Sequence, residues 1–134
     1  MNFYRPMVVM TLILGTSTAA HAASLHSGLA YSRGQDHAHC LIRYVGTGSA
    51  HFGAGSVQMY RGDQGGSPLT LQFDGCSGQT LFPNQLCYAG ASTGGDLTGA
   101  MSCSVILPGS VKNFRATLEL RDATDHTLVQ EPLR

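Results

Sequence analysis

The chain contains no tryptophan and a single lysine, Lys112, and only 12% of its residues are charged. Basic and acidic residues balance at a formal net charge of +0, and no basic cluster is present to neutralise phosphate groups. The sequence therefore predicts no nucleic-acid partner and no electrostatic attachment to an anionic membrane surface. At 43% hydrophobic residues, the chain is also too apolar to be typical of a disordered protein.

The sequence also lacks an apolar run long enough to cross a bilayer, which needs about 20 residues. Its apolar stretch, residues 7–14, follows the cationic Arg5 and precedes small residues that end at Ala22. This three-part layout predicts a secretory signal peptide over residues 1–22, cleaved after Ala22. Residues 23–134 would then form a single exported domain, periplasmic or extracellular, without membrane insertion of the mature chain.

The four cysteines, Cys40, Cys76, Cys87 and Cys103, all fall in the predicted mature chain. An even number of cysteines in an oxidising compartment favours two disulfides over a zinc site or a catalytic thiol. Four cysteines allow three pairings, and their spacing does not choose strictly among them. We favour Cys76 with Cys87, which closes a short loop containing glycine and proline, and Cys40 with Cys103, which joins two apolar segments.

No window of the mature sequence has the three-to-four-residue apolar spacing of an amphipathic helix. Short alternating segments separated by glycine-rich turns indicate an all-β fold. The predicted strands cover residues 29–32, 37–45, 56–61, 69–73, 86–89, 100–107, 113–121 and 126–131. Strands of this number and spacing predict a small disulfide-stabilised β-sandwich of immunoglobulin-like architecture, with a small β-barrel as the alternative.

Two segments carry the clearest alternation of apolar and polar side chains. Residues 69–73 alternate as expected for a strand with one solvated face. Residues 113–121 place four apolar side chains on one face and put Glu119 among charged residues on the other, which we expect to be solvated. A turn over residues 122–125 and a return strand complete a predicted hairpin.

A short polar stretch, Gln-Asp-His-Ala-His-Cys at residues 35–40, raises the question of a metal site. Residues two apart share a face of a strand, so His37 and His39 are expected to point together while Cys40 faces the core. Two imidazoles on one face suit Cu(II) or Zn(II) and need a further ligand. The candidates for that ligand are His51 first, and then Asp36, His26 and His126. The alternative is a solvated histidine face on a disulfide-bearing strand, without any cofactor.

Two motifs match known patterns but lack the context that their chemistry requires. Residues 90–94 match the nucleophile elbow G-x-S-x-G around Ser92, yet no helix is predicted to follow the serine. Arg61-Gly62-Asp63 spells an adhesion tripeptide, made of residues that are ordinary in turns. We expect a chance match in both places, and the sequence predicts a protein that is not an enzyme.

Without a catalytic constellation, the sequence favours a binding domain whose partner is an envelope or extracellular protein or a glycan. Loops on a rigid scaffold commonly carry recognition, so the glycine-rich residues 46–56 and 89–99 are the predicted contact surface. An envelope metal-binding protein is one alternative. Another is a structural subunit that self-assembles through an edge strand at residues 127–131. The mature chain's tyrosines, Tyr31, Tyr44, Tyr60 and Tyr88, are expected to fill the edge of the core.

Overall fold

The computed structural model describes residues 22–31, 34–62, 66–94 and 99–134, and the predicted signal peptide up to residue 21 lies outside them. The described chain is all-β, as predicted. Its strands are β1 (Ala23–His26), β2 (Ala30–Tyr31), β3 (His37–Tyr44), β4 (Ala50–His51), β5 (Val57–Arg61), β6 (Ser67–Pro68), β7 (Phe73–Asp74), β8 (Thr80–Leu81), β9 (Leu86–Ser92), β10 (Ala100–Leu107), β11 (Phe114–Arg121) and β12 (Thr127–Pro132). A single turn of 3-10 helix, η1 (Val111–Asn113), precedes β11.

The strands form two main antiparallel sheets that pack on a common core. The first sheet has the order β1-β10-β5-β6, and β2 also pairs with β10. The second sheet has the order β12-β11-β3-β9-β7, which confirms the predicted edge position of β12, and β4 pairs with β8 in a separate two-stranded sheet. Over the described residues the sheets do not close on themselves. The β-sandwich is confirmed, and the barrel alternative is wrong.

The core lies between the two main sheets because their central strands alternate inward and outward side chains. From β3 the buried residues are Ala38, Cys40, Ile42 and Tyr44. From β10 they are Met101, Cys103, Val105 and Leu107, together with Ser102. The side chains between the buried residues of β3 consequently point away from the core.

Two disulfides tie the sandwich together, and both join the pairs favoured from the sequence. Cys40–Cys103 connects β3 in the second sheet to β10 in the first, across a sequence separation of 63. Cys76–Cys87 connects β9 to the chain just after β7, across a separation of 11. Disulfides of this kind indicate an oxidising, extracytoplasmic setting. Within the described part of the chain, no helix has the length and apolarity needed to cross a membrane.

Residues 69–73 do not form the strand that their alternation predicts. The N–H of Leu69 donates to the carbonyl of Met59 in the first sheet, at 2.8 Å, whereas the N–H of Gln72 donates to the carbonyl of Gly90 in the second, also at 2.8 Å. The segment therefore crosses from one sheet to the other, and only its last residue belongs to a strand, β7. Its two leucines pack against the core from this crossing, which produces the alternation without regular pairing.

The glycine-rich residues 46–56 are partly a core element and not only an exposed loop. They contain β4, which pairs with β8. Phe52 follows β4, is fully buried, and meets the ring of Phe114 edge-on with centroids 5.7 Å apart. An aromatic side chain of this size therefore helps to fill a core that contains no tryptophan.

Removing the inter-sheet disulfide should cost more stability than removing the short-range one. On the chain-entropy model, separations of 63 and 11 residues correspond to about 4 and about 3 kcal/mol. We expect Cys40→Ala/Cys103→Ala to reduce the free energy of unfolding by about 1 kcal/mol more than Cys76→Ala/Cys87→Ala. The measurement is denaturant unfolding without reductant. Because each double variant removes the same atoms, a larger loss from the Cys76–Cys87 pair would contradict the prediction.

Candidate functional site

The second sheet has one face on the core and the other toward solvent. The solvent side carries most of the sheet's polar and charged side chains. We call this surface the outer face. Residues paired across neighbouring strands lie on the same side of a sheet, and the registers of β3, β7, β9, β11 and β12 define its members. They include His37, His39, Leu41, Arg43, Phe73, Leu86, Tyr88, Ser92, Arg115, Thr117, Glu119, Arg121 and Gln130.

The two histidines of β3 lie together on the outer face, as their spacing predicts. Both are half-buried, and their ring centroids are 6.3 Å apart. Cys40 faces the core and is oxidised, so it offers no thiolate beside them. His51 lies in the two-stranded sheet, where its Nδ1 shares a hydrogen bond of 3.0 Å with the hydroxyl of Thr80.

Two other predicted metal ligands, His26 and His126, are also placed elsewhere, whereas Asp36 directly precedes β3. His26 is on β1 in the first sheet and shares a 2.9 Å hydrogen bond with the hydroxyl of Ser24. His126 follows the β11–β12 turn, with its Nδ1 3.8 Å from a carboxylate oxygen of Asp122. Among the residues that the structure describes, no three His, Cys, Asp or Glu side chains are grouped so that they could hold a metal ion. The metal hypothesis therefore retains only the two imidazoles of β3.

An aromatic row, formed by His39, Tyr88 and Phe73, runs across three strands of the outer face. The His39 ring stacks on Tyr88 with centroids 5.7 Å apart, and Tyr88 contacts Phe73 with centroids 4.9 Å apart. Gly90 makes room for the row, because a Cβ there would lie 3.1 Å from Cδ2 of His39. Tyr88 is 42% exposed and Phe73 is 49% exposed, so the row presents apolar surface to solvent.

His39 is an uncharged member of this row at neutral pH. Burial lowers the pKa of His39, and the positive charge of Arg121 lowers the pKa further, against the opposing carboxylates of Asp125 and Glu119. A histidine whose pKa falls below its ordinary value of about 6.5 is neutral at pH 7. The row therefore offers aromatic contact area without adding a positive charge.

Glu119 is not solvated, which corrects the expectation from the alternation of β11. It is 8% exposed, and its carboxylate accepts hydrogen bonds from Arg121 Nε and Nη2 at 3.0 and 2.7 Å, from the Thr127 hydroxyl at 3.0 Å and from Gln130 Nε2 at 2.9 Å. Burial raises the pKa of Glu119, but these hydrogen bonds and the charge of Arg121 outweigh burial and lower the pKa. The carboxylate thus joins β11 to β12 as a fixed negative charge.

The opposite end of the outer face is basic. Arg43 of β3 and Arg115 of β11 are directly opposed in the register of the two strands. Between them lies a shallow groove of about 330 Å³, whose lining residues are Leu41, Arg43, Leu86, Arg115, Thr117 and Glu119. Arg115 Nη1 donates to the backbone carbonyls of Lys112 and Phe114, at 3.1 and 2.7 Å. Within the described chain, neither arginine forms an ion pair with a carboxylate.

Ser92 is the last residue of β9, so residues 89–99 are not a loop throughout. Its hydroxyl donates to the carbonyl of Asp36 at 3.4 Å and accepts from the N–H of Gly94 at 3.2 Å. His37 is its cross-strand partner, but no hydrogen bond joins the two side chains among the described contacts. Residues 95–98 lie outside the described residues, and the described chain resumes as β10.

The Arg-Gly-Asp tripeptide is only partly within the described chain. Arg61 ends β5, and its Nη2 donates to the carbonyl of Thr93 at 3.0 Å. Gly62 has a φ of 87°, a backbone conformation that favours glycine. Asp63 lies outside the described residues, so the structure does not test the adhesion motif.

Sequence reasoning missed several residues of the outer face. Of the tyrosines expected at the core edge, Tyr44 is buried, whereas Tyr31 and Tyr88 are 61% and 42% exposed. One signal was available for Tyr88, because it follows the inward-facing Cys87 in a strand and must point outward. The exposure of Phe73 had no such signal, since its segment crosses between the sheets.

Replacing Glu119 by glutamine should destabilise the fold in a pH-dependent way. The carboxylate's pKa is lowered in the folded protein, so its stabilisation is complete above the unfolded carboxyl pKa of about 4.3 and is lost as the pH falls through the folded value. We expect Glu119→Gln to lower the free energy of unfolding by about 2 kcal/mol at pH 7. In denaturant unfolding, the difference from wild type should shrink as the pH falls below about 4.

Glu131→Gln provides the matched control, because Glu131 lies on β12 and makes no side-chain hydrogen bond among the described residues. This variant should leave the free energy of unfolding nearly unchanged at pH 7. A Glu119→Gln loss that stays constant from pH 7 to pH 3 would show that the ionised carboxylate is not its source.

No protein-family model matches the chain, and no curated protein or solved structure is significantly similar to it. The function of the outer face is therefore inferred from its own geometry and chemistry.

Proposed function

We propose that this protein is an exported, non-catalytic binding domain that recognises another exported protein through its outer face. The observation that carries the proposal is an exposed apolar strip beside paired arginines, on a sheet fixed by disulfides. The strip consists of Leu86, Tyr88 and Phe73, which are 47%, 42% and 49% exposed. The inter-sheet disulfide supports an immunoglobulin-like scaffold, and the predicted leader over residues 1–22 supports export to the periplasm or beyond the cell.

The composition of the strip and its surroundings favours a protein partner. Tyrosine, phenylalanine and arginine are enriched in protein interfaces, whereas lysine is depleted there. A contiguous exposed apolar patch rimmed by polar residues commonly marks an interaction surface. On the outer face, the rim is formed by Arg43, Arg115 and Thr117.

The sheet holds this surface in a preorganised state. Tyr88 follows Cys87, and His39 and Leu41 flank Cys40, so both disulfides hold the strands that carry the aromatic row. A surface that is already fixed loses little conformational entropy when a partner binds. Binding can therefore be specific even though the exposed apolar area is small.

A protein partner is preferred to a glycan because of how the rings are arranged. In the aromatic row, neighbouring rings contact one another, with the His39 and Tyr88 planes 25° apart and the Tyr88 and Phe73 planes 35° apart. Part of each ring face is covered by its neighbour. The rings are thus less suited to stacking against the C–H face of a sugar ring than to packing with irregular side chains.

The binding role is also preferred to a hydrolase role for Ser92. Its hydroxyl is engaged with the backbone of Asp36 and Gly94. A nucleophilic serine instead needs a base within hydrogen-bonding reach, and His37 does not bond to it among the described contacts.

Photocrosslinking from position 88 tests the proposal. With a benzophenone side chain in place of Tyr88, we expect covalent adducts to a discrete protein from the envelope and extracellular fraction of the source organism. Tyr88→Ala should weaken binding of that captured protein by about 30-fold, since truncating an interface tyrosine costs about 2 kcal/mol at a central position. Isothermal titration with the purified partner measures the change.

Ile106 supplies the control position. It is 48% exposed on β10 of the first sheet, so its exposure resembles that of Tyr88 on the opposite side of the sandwich. Equal adducts from positions 88 and 106 would overturn the assignment of the surface. Specific retention on a glycan array, with no protein adduct from position 88, would overturn the choice of partner class.

A further inference from the structure

We propose that Arg43 and Arg115 form a subsite that takes the carboxylates of an acidic peptide segment in the partner protein. This inference rests on the proposed binding role of the outer face and adds the chemistry of the ligand. Its basis is a pair of positive charges that lie side by side and, within the described residues, form no ion pair with a carboxylate.

The opposition of the two arginines follows from the strand register. Arg115 of β11 is the direct partner of Arg43 of β3, and both are exposed. Directly opposed residues in an antiparallel pair have their Cβ atoms about 4.5–5.5 Å apart, and like charges in such pairs are destabilising. A ligand that brings negative charge to this position removes the repulsion.

Among the described residues, neither Glu119 nor the acidic residues of the β11–β12 turn pair with these arginines. Glu119 lines the groove, but its oxygens are occupied by Arg121, Thr127 and Gln130. The first acidic residue of the β11–β12 turn, Asp122, lies seven residues beyond Arg115, which at about 3.3 Å per residue is about 23 Å away. The outer face is therefore basic at one end, and at the other its charges are already paired.

The chemistry of the groove fits a carboxylate. A guanidinium is planar and donates two parallel N–H bonds to a carboxylate, which gives directional as well as electrostatic attraction. The carbonyls of Lys112 and Phe114 hold one nitrogen of Arg115 in place, so part of the ordering cost is met before a ligand arrives. Leu41 and Leu86 line the same groove and provide an apolar surface beside the charges, which a peptide's aliphatic groups can contact.

A peptide is favoured over other anionic partners. The subsite has two arginines, with Lys112 nearby as a third positive charge, in a chain whose formal net charge is +0. Nucleic-acid binders typically neutralise about six to ten phosphates, which is more than this patch offers. The groove also lines up with Tyr88 through the Leu41–Tyr88 pair, so a peptide can place carboxylates on the arginines and an apolar side chain on the aromatic row.

The direct test uses a Gly-Ser peptide that carries four glutamates, together with a twin in which all four are glutamine. We expect the glutamate peptide to shift the side-chain Nε–Hε NMR signals of Arg43 and Arg115 in the intact, oxidised protein, and the twin to leave them in place. Arg115→Gln should weaken the glutamate peptide about tenfold, which corresponds to about 1.4 kcal/mol. Added salt should also weaken binding of the glutamate peptide.

Arg134→Gln is the matched control, because it removes one positive charge from an exposed position outside the outer face. This variant should bind the glutamate peptide with the affinity of the wild type. Equal weakening by Arg134→Gln and Arg115→Gln would overturn the subsite and leave only net charge as the cause. Equal binding of the two peptides, or binding of anionic phospholipid vesicles in place of the glutamate peptide, would overturn it too.

A stability measurement separates ligand binding from a structural role. Arg43→Gln should melt at the wild-type temperature or slightly above it, because Arg43 opposes a like charge and makes no side-chain hydrogen bond among the described contacts. A clear decrease in its melting temperature would mean that Arg43 supports the fold, and it would overturn the proposal.

The two proposals can also fail separately. If the protein captured from position 88 binds wild type and Arg115→Gln equally, the outer face binds its partner but the arginine subsite is wrong. If the glutamate peptide shifts the arginine signals while position 88 captures no protein, the subsite is supported and the proposed partner class fails.

Discussion

The disulfide between Cys40 and Cys103 is the constraint on which the rest of the structure depends. It joins β3, in the middle of one sheet, to β10, which pairs with three strands of the other. On the chain-entropy model, this link across the core contributes about 4 kcal/mol by constraining the unfolded chain. Because Cys40 must face inward, the outward direction of His39 and Leu41 on β3 follows from it. The outer face is the side of the second sheet that points away from this disulfide.

The arginines of the outer face differ in whether they have a carboxylate partner. Arg121 is held by Glu119 and Asp125, at 2.7 and 3.0 Å, so its charge is compensated and the hairpin of β11 and β12 is fixed. Arg43 and Arg115 are opposed to each other and have no carboxylate among the described residues. A paired charge stabilises the fold, whereas an unpaired charge in a groove is available to a ligand. The proposed partner is therefore expected to bind at the Arg43–Arg115 end of the outer face.

The histidine pair has a more limited role than its sequence pattern suggests. The strand does place His37 and His39 on one face, as a metal site requires. The fold then covers one side of His39 with Tyr88 and Gly90 and leaves His51 in a different sheet. In this arrangement the main described contact of the His39 ring is its stacking on Tyr88.

The sequence by itself determined the features that depend on local pattern. Short alternating segments predicted β3, β10 and β11, and the period of two predicted which way the side chains of residues 37–40 and 113–121 point. The cysteine positions left three pairings open, and the two that we favoured, one closing a short loop and one joining two apolar segments, are those that the structure forms. The hairpin of β11 and β12 followed from its turn residues.

Only the tertiary structure decided what depends on contacts between distant segments. Glu119 is buried because β12 brings Thr127 and Gln130 over it, and alternation within β11 does not reveal a covering strand. Residues 69–73 alternate like a strand but pair with both sheets in turn. The opposition of Arg43 and Arg115 depends on the register between strands that are far apart in sequence. Local periodicity sets which way a side chain points, but only the packed sheets set what it meets there.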